Sequence, residues 1–190
     1  MKRKVKADVM LLDAPWMPGQ LGKRGAIRHY DLMEFEQIKD LPIADLTADN
    51  AHLWMWVTNA VVPDIKELLE AWGFTYRSML TWAKPRLGLG MYLRNSTEHL
   101  VLATKGRAPV KYHSQPTWGM YPVQDHSHKP EEIYSVIDRV SGTEGVRLEL
   151  FARRRQPGWL VWGNEIESDI EISGYPVPKY SSAVSSRNKE

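Results

Sequence analysis

The chain has 190 residues, of which 43% are hydrophobic and 25% charged, a balance typical of one globular domain. The formal net charge is +2, so the total charge alone does not require a nucleic-acid partner. The absence of cysteine excludes disulfides, thiolate zinc sites, iron–sulfur clusters and a cysteine nucleophile.

Apolar periodicity predicts strands that alternate with helices along the chain. Strands are expected at residues 9–12, 51–59, 76–84, 98–106, 146–152 and 158–164. Helices are expected at residues 61–74 and 129–141, and a short helix that ends before Pro42 and is followed by a turn is expected within residues 33–46. This alternation predicts an α/β fold with a mainly parallel central sheet flanked by helices.

We expect one domain over residues 1–166 and a partly disordered C-terminal tail over 167–190, where serine and charged residues dominate. Three connections are longer than a turn needs and are expected to be either functional or disordered loops. They cover residues 17–31, 85–96 and 107–128. No apolar run approaches the roughly 20 residues of a membrane span, and no signal peptide is recognisable.

The four residues Asp13-Ala14-Pro15-Trp16 follow the first predicted strand directly. They combine a carboxylate, a restricted backbone and a large flat ring at a strand end, where α/β proteins place their ligands. This combination indicates a site for a planar molecule. Taken alone, the four residues also fit a plain strand end and turn.

Basic residues cluster near positions 2–6, 23–28, 105–111 and 153–155, and the chain contains eight tryptophans. Clustered cations with aromatic rings suit a surface that binds a polyanion and stacks bases. Scattered, solvated lysines and arginines are an equally good explanation of the charge pattern.

Several motifs occur together in one order along residues 8–166. They are DAPW (13–16), RGAIRHYDLM (24–33), LPIADL (41–46), LWMWVTN (53–59), LTWAK (80–84), EHLVLATKG (98–106), HSHKPEEIY (126–134), LELFARR (148–154) and GWLVWGNE (158–165). The chain resembles the MT-A70 family of N6-adenine methyltransferases, whose signature is Asp-Pro-Pro-Trp. The family includes messenger-RNA adenosine methyltransferases and many prokaryotic and phage relatives.

The resemblance implies a Rossmann-like methyltransferase fold that uses S-adenosylmethionine, with the catalytic motif N-terminal to the cofactor-binding segment. It implies methyl transfer to the N6 amine of adenine in nucleic acid. The motif begins close to the start of the chain, and this compact form is typical of prokaryotic and phage members. We therefore favour DNA over RNA as substrate, and the cytoplasm of a prokaryote or of a phage-infected host as the location.

The resemblance assigns the catalytic role to Asp13, Ala14, Pro15 and Trp16. The Asp13 carboxylate and the Ala14 carbonyl would accept hydrogen bonds from the adenine amine, and Trp16 would stack on the base. Ala14 departs from the family, which has proline there; the carbonyl is kept but the fixed φ of proline is lost. Pro15 still restricts Ala14 to extended backbone.

Six residues are expected at the cofactor by resemblance: Asp13, Lys129, Glu149, Arg153, Asn164 and Glu165. Glu149 and Arg153 would lie near the methionine or ribose. Asn164 and Glu165 would hold ribose hydroxyls, which a carboxylate accepts well. The alternative for Glu165 is a turn after a strand, and for Lys129 a solvated helix start.

The acceptor-facing loops of the family correspond to residues 22–30 and 85–99. Candidate substrate-binding residues are Tyr30, Arg24, Arg28, Arg94 and Glu98, with Arg86 as a further candidate for phosphate contact. Tyr30 would lie near the adenine and Glu98 would line the crevice. Solvated loop arginines remain the alternative.

His126 and His128 flank a serine beside Asp125, a pattern that also fits a metal site. No third ligand of matching spacing stands out, so we expect no metal. The resemblance instead makes Lys129 the functional residue of that segment.

Two other functions stay open beside the methyltransferase: a catalytically silent nucleic-acid-binding or partner subunit, and a small-molecule methyltransferase. Intact Asp13, Trp16, Lys129, Glu149 and Asn164 favour an active enzyme. The expected partners are DNA or RNA, with no membrane, and either a second copy of the chain or a methyltransferase partner subunit.

Overall fold

The computed structural model describes residues 5–16, 32–90, 92–124 and 128–175. The strands are β1 (Ala7–Leu12), β2 (Thr47–Val57), β3 (Thr75–Ala83), β4 (Thr97–Lys105), β5 (Trp118–Met120), β6 (Arg147–Leu150) and β7 (Trp159–Trp162). The helices are α1 (Phe35–Lys39), α2 (Ile43–Leu46), α3 (Ile65–Ala71) and α4 (Glu132–Ser141), with a 3-10 turn at Val62–Asp64.

The seven strands form a single sheet in the order β5-β3-β4-β2-β1-β6-β7. Strand β4 runs antiparallel to both of its neighbours, and the four other pairings are parallel. This confirms the predicted α/β class with a mainly parallel sheet. The carboxyl ends of six strands and the amino end of β4 therefore share one edge, where ligands bind in open α/β sheets.

Strand β1 is apolar on both faces because both faces of the sheet are covered. Met10 and Leu12 pack with one cluster, which includes the buried residues of α1, α2 and α3. Val9 and Leu11 pack with the other cluster, which includes the buried face of α4. Full burial of such a side chain contributes about 2 kcal/mol, so this central strand is firmly fixed.

Helix α1 ends at Lys39, before Pro42, as predicted, and the structure forms the short helix α2 where the sequence predicts a turn. Proline is poorly tolerated inside a helix, and Pro42 precedes the first residue of α2. Helix α4 begins at Glu132, later than predicted, because the preceding turn is closed by the Ile133 N–H to the Pro130 carbonyl at 3.2 Å.

Strand β5 lies inside the segment that we predicted to be a long loop. It has only three residues, and Trp118 and Met120 are exposed, so it lacks the apolar alternation that marks a strand. Pairing with β3 alone creates it, at one edge of the sheet.

The packed body extends beyond the boundary that we drew at residue 166. Ile170 and Ile172 are buried in the same cluster as Trp162. The Asp169 N–H donates to the Val161 carbonyl at 2.8 Å, and the Val161 N–H donates to the Asp169 carboxylate at 2.8 Å. The expected disorder of residues 176–190 lies outside the described residues. Within the described ranges, no helix has the length and apolar character to cross a bilayer.

Candidate active site

Charged side chains gather where the strand ends meet. Asp13 follows β1, Lys84 follows β3, and Glu98 lies at the amino end of the reversed strand β4. Glu149 lies near the end of β6. The sheet order thus brings together residues that lie far apart in the sequence.

Lys129 connects two of these carboxylates. Its Nζ lies 2.8 Å and 3.0 Å from the two Asp13 carboxylate oxygens and 3.4 Å from Glu98 Oε2. Lys84 donates a second hydrogen bond to Glu98. We call this series, Lys84–Glu98–Lys129–Asp13, the ion-pair chain.

Lys129 and Glu98 are held in their charged forms by their neighbours in the ion-pair chain. Burial lowers the pKa of Lys129, but the carboxylates of Asp13 and Glu98 outweigh burial and leave that pKa raised. Burial raises the pKa of Glu98, but Lys129 and Lys84 outweigh it and leave that pKa lowered. Lys129 is therefore an ammonium and Glu98 a carboxylate at neutral pH.

A cavity of about 360 Å³ opens on the β6 side of the chain, and we call it the Glu149 cavity. Asp13, Lys129, Tyr134, Glu149, Arg153 and Glu165 are among its lining residues. Arg153 Nε lies 3.6 Å from Glu165 Oε1. The wall thus presents both acceptors and cations to a ligand.

Glu149 is only 7% exposed although its side chain is a carboxylate. The Tyr134 hydroxyl donates to Glu149 Oε2 at 2.8 Å. Burial raises the pKa of Glu149 to about 7; the Tyr134 hydrogen bond opposes this rise, and the negative charge of Asp13 adds to it. A carboxylate held this unfavourably in a cavity is typical of a binding site.

We expect Glu149→Gln to stabilise the ligand-free protein at pH 8. Between pH 4.5 and 7 the folded state retains a proton that the unfolded chain has lost, so wild-type stability falls as pH rises across that window. At pH 8 the amide should gain about 3 kcal/mol in the free energy of unfolding. Urea denaturation at pH 5 and pH 8 measures it.

The gain in the free energy of unfolding from Glu149→Gln should be much smaller at pH 5, where Glu149 of the folded protein is already protonated. Glu167→Gln, at an exposed position, is the matched control and should change little at either pH. A Glu149→Gln protein less stable than wild type at pH 8 would contradict the burial argument.

The backbone beside this cavity is strained at Phe151, which has φ 63°. A residue with a side chain rarely adopts this left-handed conformation, which costs about 1–3 kcal/mol. The Phe151 ring packs edge-on against Trp162, with centroids 5.2 Å apart. This turn directs the chain after β6 back along the cavity wall.

A second cavity, of about 280 Å³, lies on the β3 and β4 side, and we call it the Asn59 cavity. Asn59, Lys84, Arg86, Asn95 and Glu98 are among its lining residues. His128 and Lys129 line both cavities. The two cavities therefore adjoin at Lys129, beside the carboxylate of Asp13.

A hydrogen-bond relay supports the Asn59 cavity. His99 Nε2 lies 3.0 Å from Asn59 Oδ1, an acceptor, so Nε2 carries the proton. His99 Nδ1 then accepts from the Thr81 hydroxyl at 3.0 Å. The Asn59 amide nitrogen is thereby directed to Thr97 Oγ1, at 3.1 Å. Burial lowers the pKa of His99, against the charge of Glu98, which favours this neutral form.

The motif Asp13-Ala14-Pro15-Trp16 forms a tight turn after β1. The Trp16 N–H donates to the Ala14 carbonyl at 2.9 Å, and the Met33 N–H donates to the Pro15 carbonyl at 2.9 Å. The Trp16 indole N–H donates to the Trp56 carbonyl at 3.0 Å. Trp16 is thus anchored to β2, and the Ala14 carbonyl keeps one lone pair for another donor.

We expect Ala14→Pro to be tolerated and to leave turnover equal or raised. The hydrogen bonds of this turn use the N–H groups of Asp13, Trp16 and Met33, so proline at position 14 removes none of them. Proline also restricts the backbone that carries the acceptor carbonyl. Steady-state methyl-transfer rates measure the effect, and a collapse in rate with unchanged thermal stability would refute it.

Several of the predicted site residues come together. Asp13, Lys129, Glu149, Arg153 and Glu165 line the Glu149 cavity, and Glu98 lines the Asn59 cavity. Ala14, Pro15, Trp16, Asn164 and Arg94 are not among the lining residues of these cavities, within the described part of the chain. Asn164 is next to Glu165 in the chain, and Arg94 is exposed in the β3–β4 loop.

Several predictions fall outside the described residues. The substrate-binding candidates Arg24, Arg28 and Tyr30 lie there, as do Asp125 and His126 of the alternative metal site. His128 Nε2 lies 2.9 Å from Glu131 Oε1 and 2.5 Å from Arg154 Nη1. Across the described ranges, no group of three possible ligands could hold a metal ion.

Sequence reasoning missed Lys84, Tyr134 and Asn59 as site residues. Asn59 and Lys84 are each the last residue of a predicted strand, and that position could have indicated them. Tyr134 lies within α4, and nothing in its local sequence indicates that its hydroxyl reaches Glu149.

The MT-A70 family model matches residues 7–165, which confirms the resemblance inferred from the ordered motifs. The type II methyltransferase M.MunI of Mycoplasma sp is 31% identical over 75% of this chain and 63% of its own length. The N(6)-adenosine-methyltransferase catalytic subunit METTL3 of Homo sapiens is 29% identical over 85% of this chain and 28% of its own length. The chain thus spans less than two thirds of either relative.

Proposed function

Because the chain belongs to the MT-A70 family, we propose that it transfers a methyl group from S-adenosylmethionine to the N6 amine of adenine in nucleic acid, with DNA favoured over RNA. The observation that carries this proposal is the meeting of two cavities at Lys129, where the Asp13 carboxylate lies 2.8 Å away. One cavity suits a cofactor and the other an acceptor base.

The Glu149 cavity fits S-adenosylmethionine by its size and its donor set. Its volume of about 360 Å³ lies within the range of small-molecule sites. The carboxylate of Glu149 suits the cofactor's ammonium, Lys129 and Arg153 suit its carboxylate, and Glu165 suits ribose hydroxyls. When bound, the cofactor supplies an electrophilic methyl group on a sulfonium.

The acceptor base would be held by the turn after β1. The Asp13 carboxylate and the Ala14 carbonyl accept the two N–H groups of the amine, which moves its lone pair out of the ring. Positive charge then develops on this nitrogen, and these fixed acceptors stabilise it. After transfer the nitrogen gives up one proton, which the Asp13 carboxylate is placed to accept. Trp16 stacks on the base.

The nucleic-acid backbone would contact cations around the Asn59 cavity. Arg86 lines that cavity, and Arg94 is exposed in the same loop. Phosphate contacts from such loop arginines supply salt-dependent, sequence-independent affinity. The same proposal includes association with a second copy of the chain or with a partner subunit. It also includes a cytoplasmic location.

Methyl transfer from labelled S-adenosylmethionine tests the proposal. The acceptors are single-stranded and duplex DNA and RNA, and digestion to nucleosides identifies the product. We expect N6-methyladenine, with more product from DNA. Cofactor binding without transfer to any acceptor would favour a requirement for a partner subunit. If the protein neither binds the cofactor nor transfers a methyl group, the proposal is contradicted and the silent-subunit alternative is favoured.

A further inference from the structure

The β3–β4 loop carries a patch of exposed apolar side chains beside the Asn59 cavity. Its members, which we call the apolar tip, are Leu87 (69% exposed), Leu89 (70%), Tyr92 (95%) and Leu93 (83%). Single exposed leucines are ordinary on protein surfaces, but four large apolar side chains within seven residues form a patch that indicates a binding surface. Met91 is outside the described residues and is not included.

The loop that carries the apolar tip is braced by its own hydrogen bonds. The Gly88 N–H donates to the Asn95 carbonyl at 2.5 Å, and the Asn95 side-chain amide donates to the Leu89 carbonyl at 2.7 Å. Arg94 Nε donates to the Gly88 carbonyl at 2.8 Å. A Cβ on Gly88 would lie 2.7 Å from the Asn95 carbonyl oxygen, so only glycine allows this close approach. These hydrogen bonds join residues 88 and 89 to residues 94 and 95, while the apolar side chains of the tip remain in water.

Position and charge indicate what the apolar tip contacts. Arg86, Gly88 and Asn95 of the same loop line the Asn59 cavity, so the partner of the tip adjoins the occupant of that cavity. Residues 85–96 include two arginines and no acidic residue. An anionic partner with apolar surfaces between its charges fits both features, and a stack of nucleotide bases has that character.

We propose that the apolar tip enters the base stack of a nucleic-acid duplex at the place that the target adenine leaves. This inference rests on the proposed function. In a duplex the adenine amine is paired and stacked, so the base must leave the helix to reach the Asn59 cavity. Tyr92 and Leu93, the two most exposed members, fill the gap by stacking and packing, as apolar wedges do in other nucleic-acid complexes.

The test uses the double variant Tyr92→Ala/Leu93→Ala and a DNA oligonucleotide that wild type methylates. The strand is offered alone, as a matched duplex, and as a duplex with an abasic site opposite the target adenine. We expect the variant to lose about tenfold or more in rate on the matched duplex only. Tyr76→Ala is the matched control, because Tyr76 is 48% exposed at the start of β3, away from the loop.

Three results would overturn the inference: an equal loss on all three substrates, no loss on the matched duplex, or a wild type that methylates only single strands. A wild-type dimer that the double variant turns into a monomer, measured by light scattering, would also overturn it, because the tip would then be a protein interface.

If the wild-type protein methylates none of the acceptors, the proposed function fails. A binding measurement then tests the apolar tip separately. Permanganate oxidises unstacked thymines at any sequence in a long DNA duplex. Wild type should create reactive thymines opposite extruded adenines, and the double variant should not. No reactive thymine with wild type overturns the inference.

Discussion

Asp13→Asn is expected to lower the methyl-transfer rate by about a thousandfold while the protein stays folded. The amide has the shape of the carboxylate but carries no charge, so it neither stabilises the positive amine nitrogen nor accepts its proton. It also weakens the contact with Lys129 Nζ, which lies 2.8 Å from Asp13 Oδ1 in the wild type. Single-turnover rates with saturating cofactor and acceptor measure the chemical step directly.

Cofactor affinity distinguishes loss of chemistry from loss of the site. Isothermal titration with S-adenosylmethionine should show only a modest weakening for Asp13→Asn, because Glu149, Arg153 and Glu165 remain in the cavity. Asp64→Asn, at an exposed position before α3, is the matched control and should behave as wild type. An active Asp13→Asn protein would show that the amine is held by other groups.

Lys129→Met is expected to lower kcat/KM by about a hundredfold or more for both substrates. The substitution keeps most of the side-chain volume but removes the ammonium that lies between the carboxylates of Asp13 and Glu98. Burial would then raise the pKa of Glu98 with only Lys84 to oppose it. The pH dependence of kcat/KM should therefore gain a new step on its acidic side.

Lys84→Met separates the two ends of the ion-pair chain. Of the two cavities, Lys84 lines the Asn59 cavity alone, while Lys129 lines both. We expect Lys84→Met to raise KM for the nucleic acid and to leave cofactor affinity within about twofold. Equal effects of the two lysine variants on cofactor affinity would contradict the division into a cofactor cavity and an acceptor cavity.

Local pattern in the sequence was sufficient for the fold class and for the position of the motif. The apolar run from Val9 to Leu12 predicts a buried strand, and Asp13-Ala14-Pro15-Trp16 follows it at the edge where α/β proteins bind ligands. These features depend on residues next to one another, so periodicity and composition reveal them.

Contacts between distant segments were decided by the tertiary structure alone. Lys129 lies 116 residues from Asp13, and their hydrogen bond exists because β1 is central in the sheet and the segment before α4 reaches its carboxyl end. The burial that raises the pKa of Glu149, and its contact with Tyr134, likewise come from packing of α4 against β6.

The same distinction explains which elements were mispredicted. Strand β5 forms only because β3 offers it an edge, and Ile170 and Ile172 enter the core only because β7 and its neighbours leave a surface to cover. Periodicity and composition are enough to predict a mainly parallel α/β domain with a carboxylate-and-tryptophan motif after its first strand. Tertiary structure decided that two cavities meet at Lys129, since burial and ion pairing between remote residues depend on the sheet order and not on any local repeat.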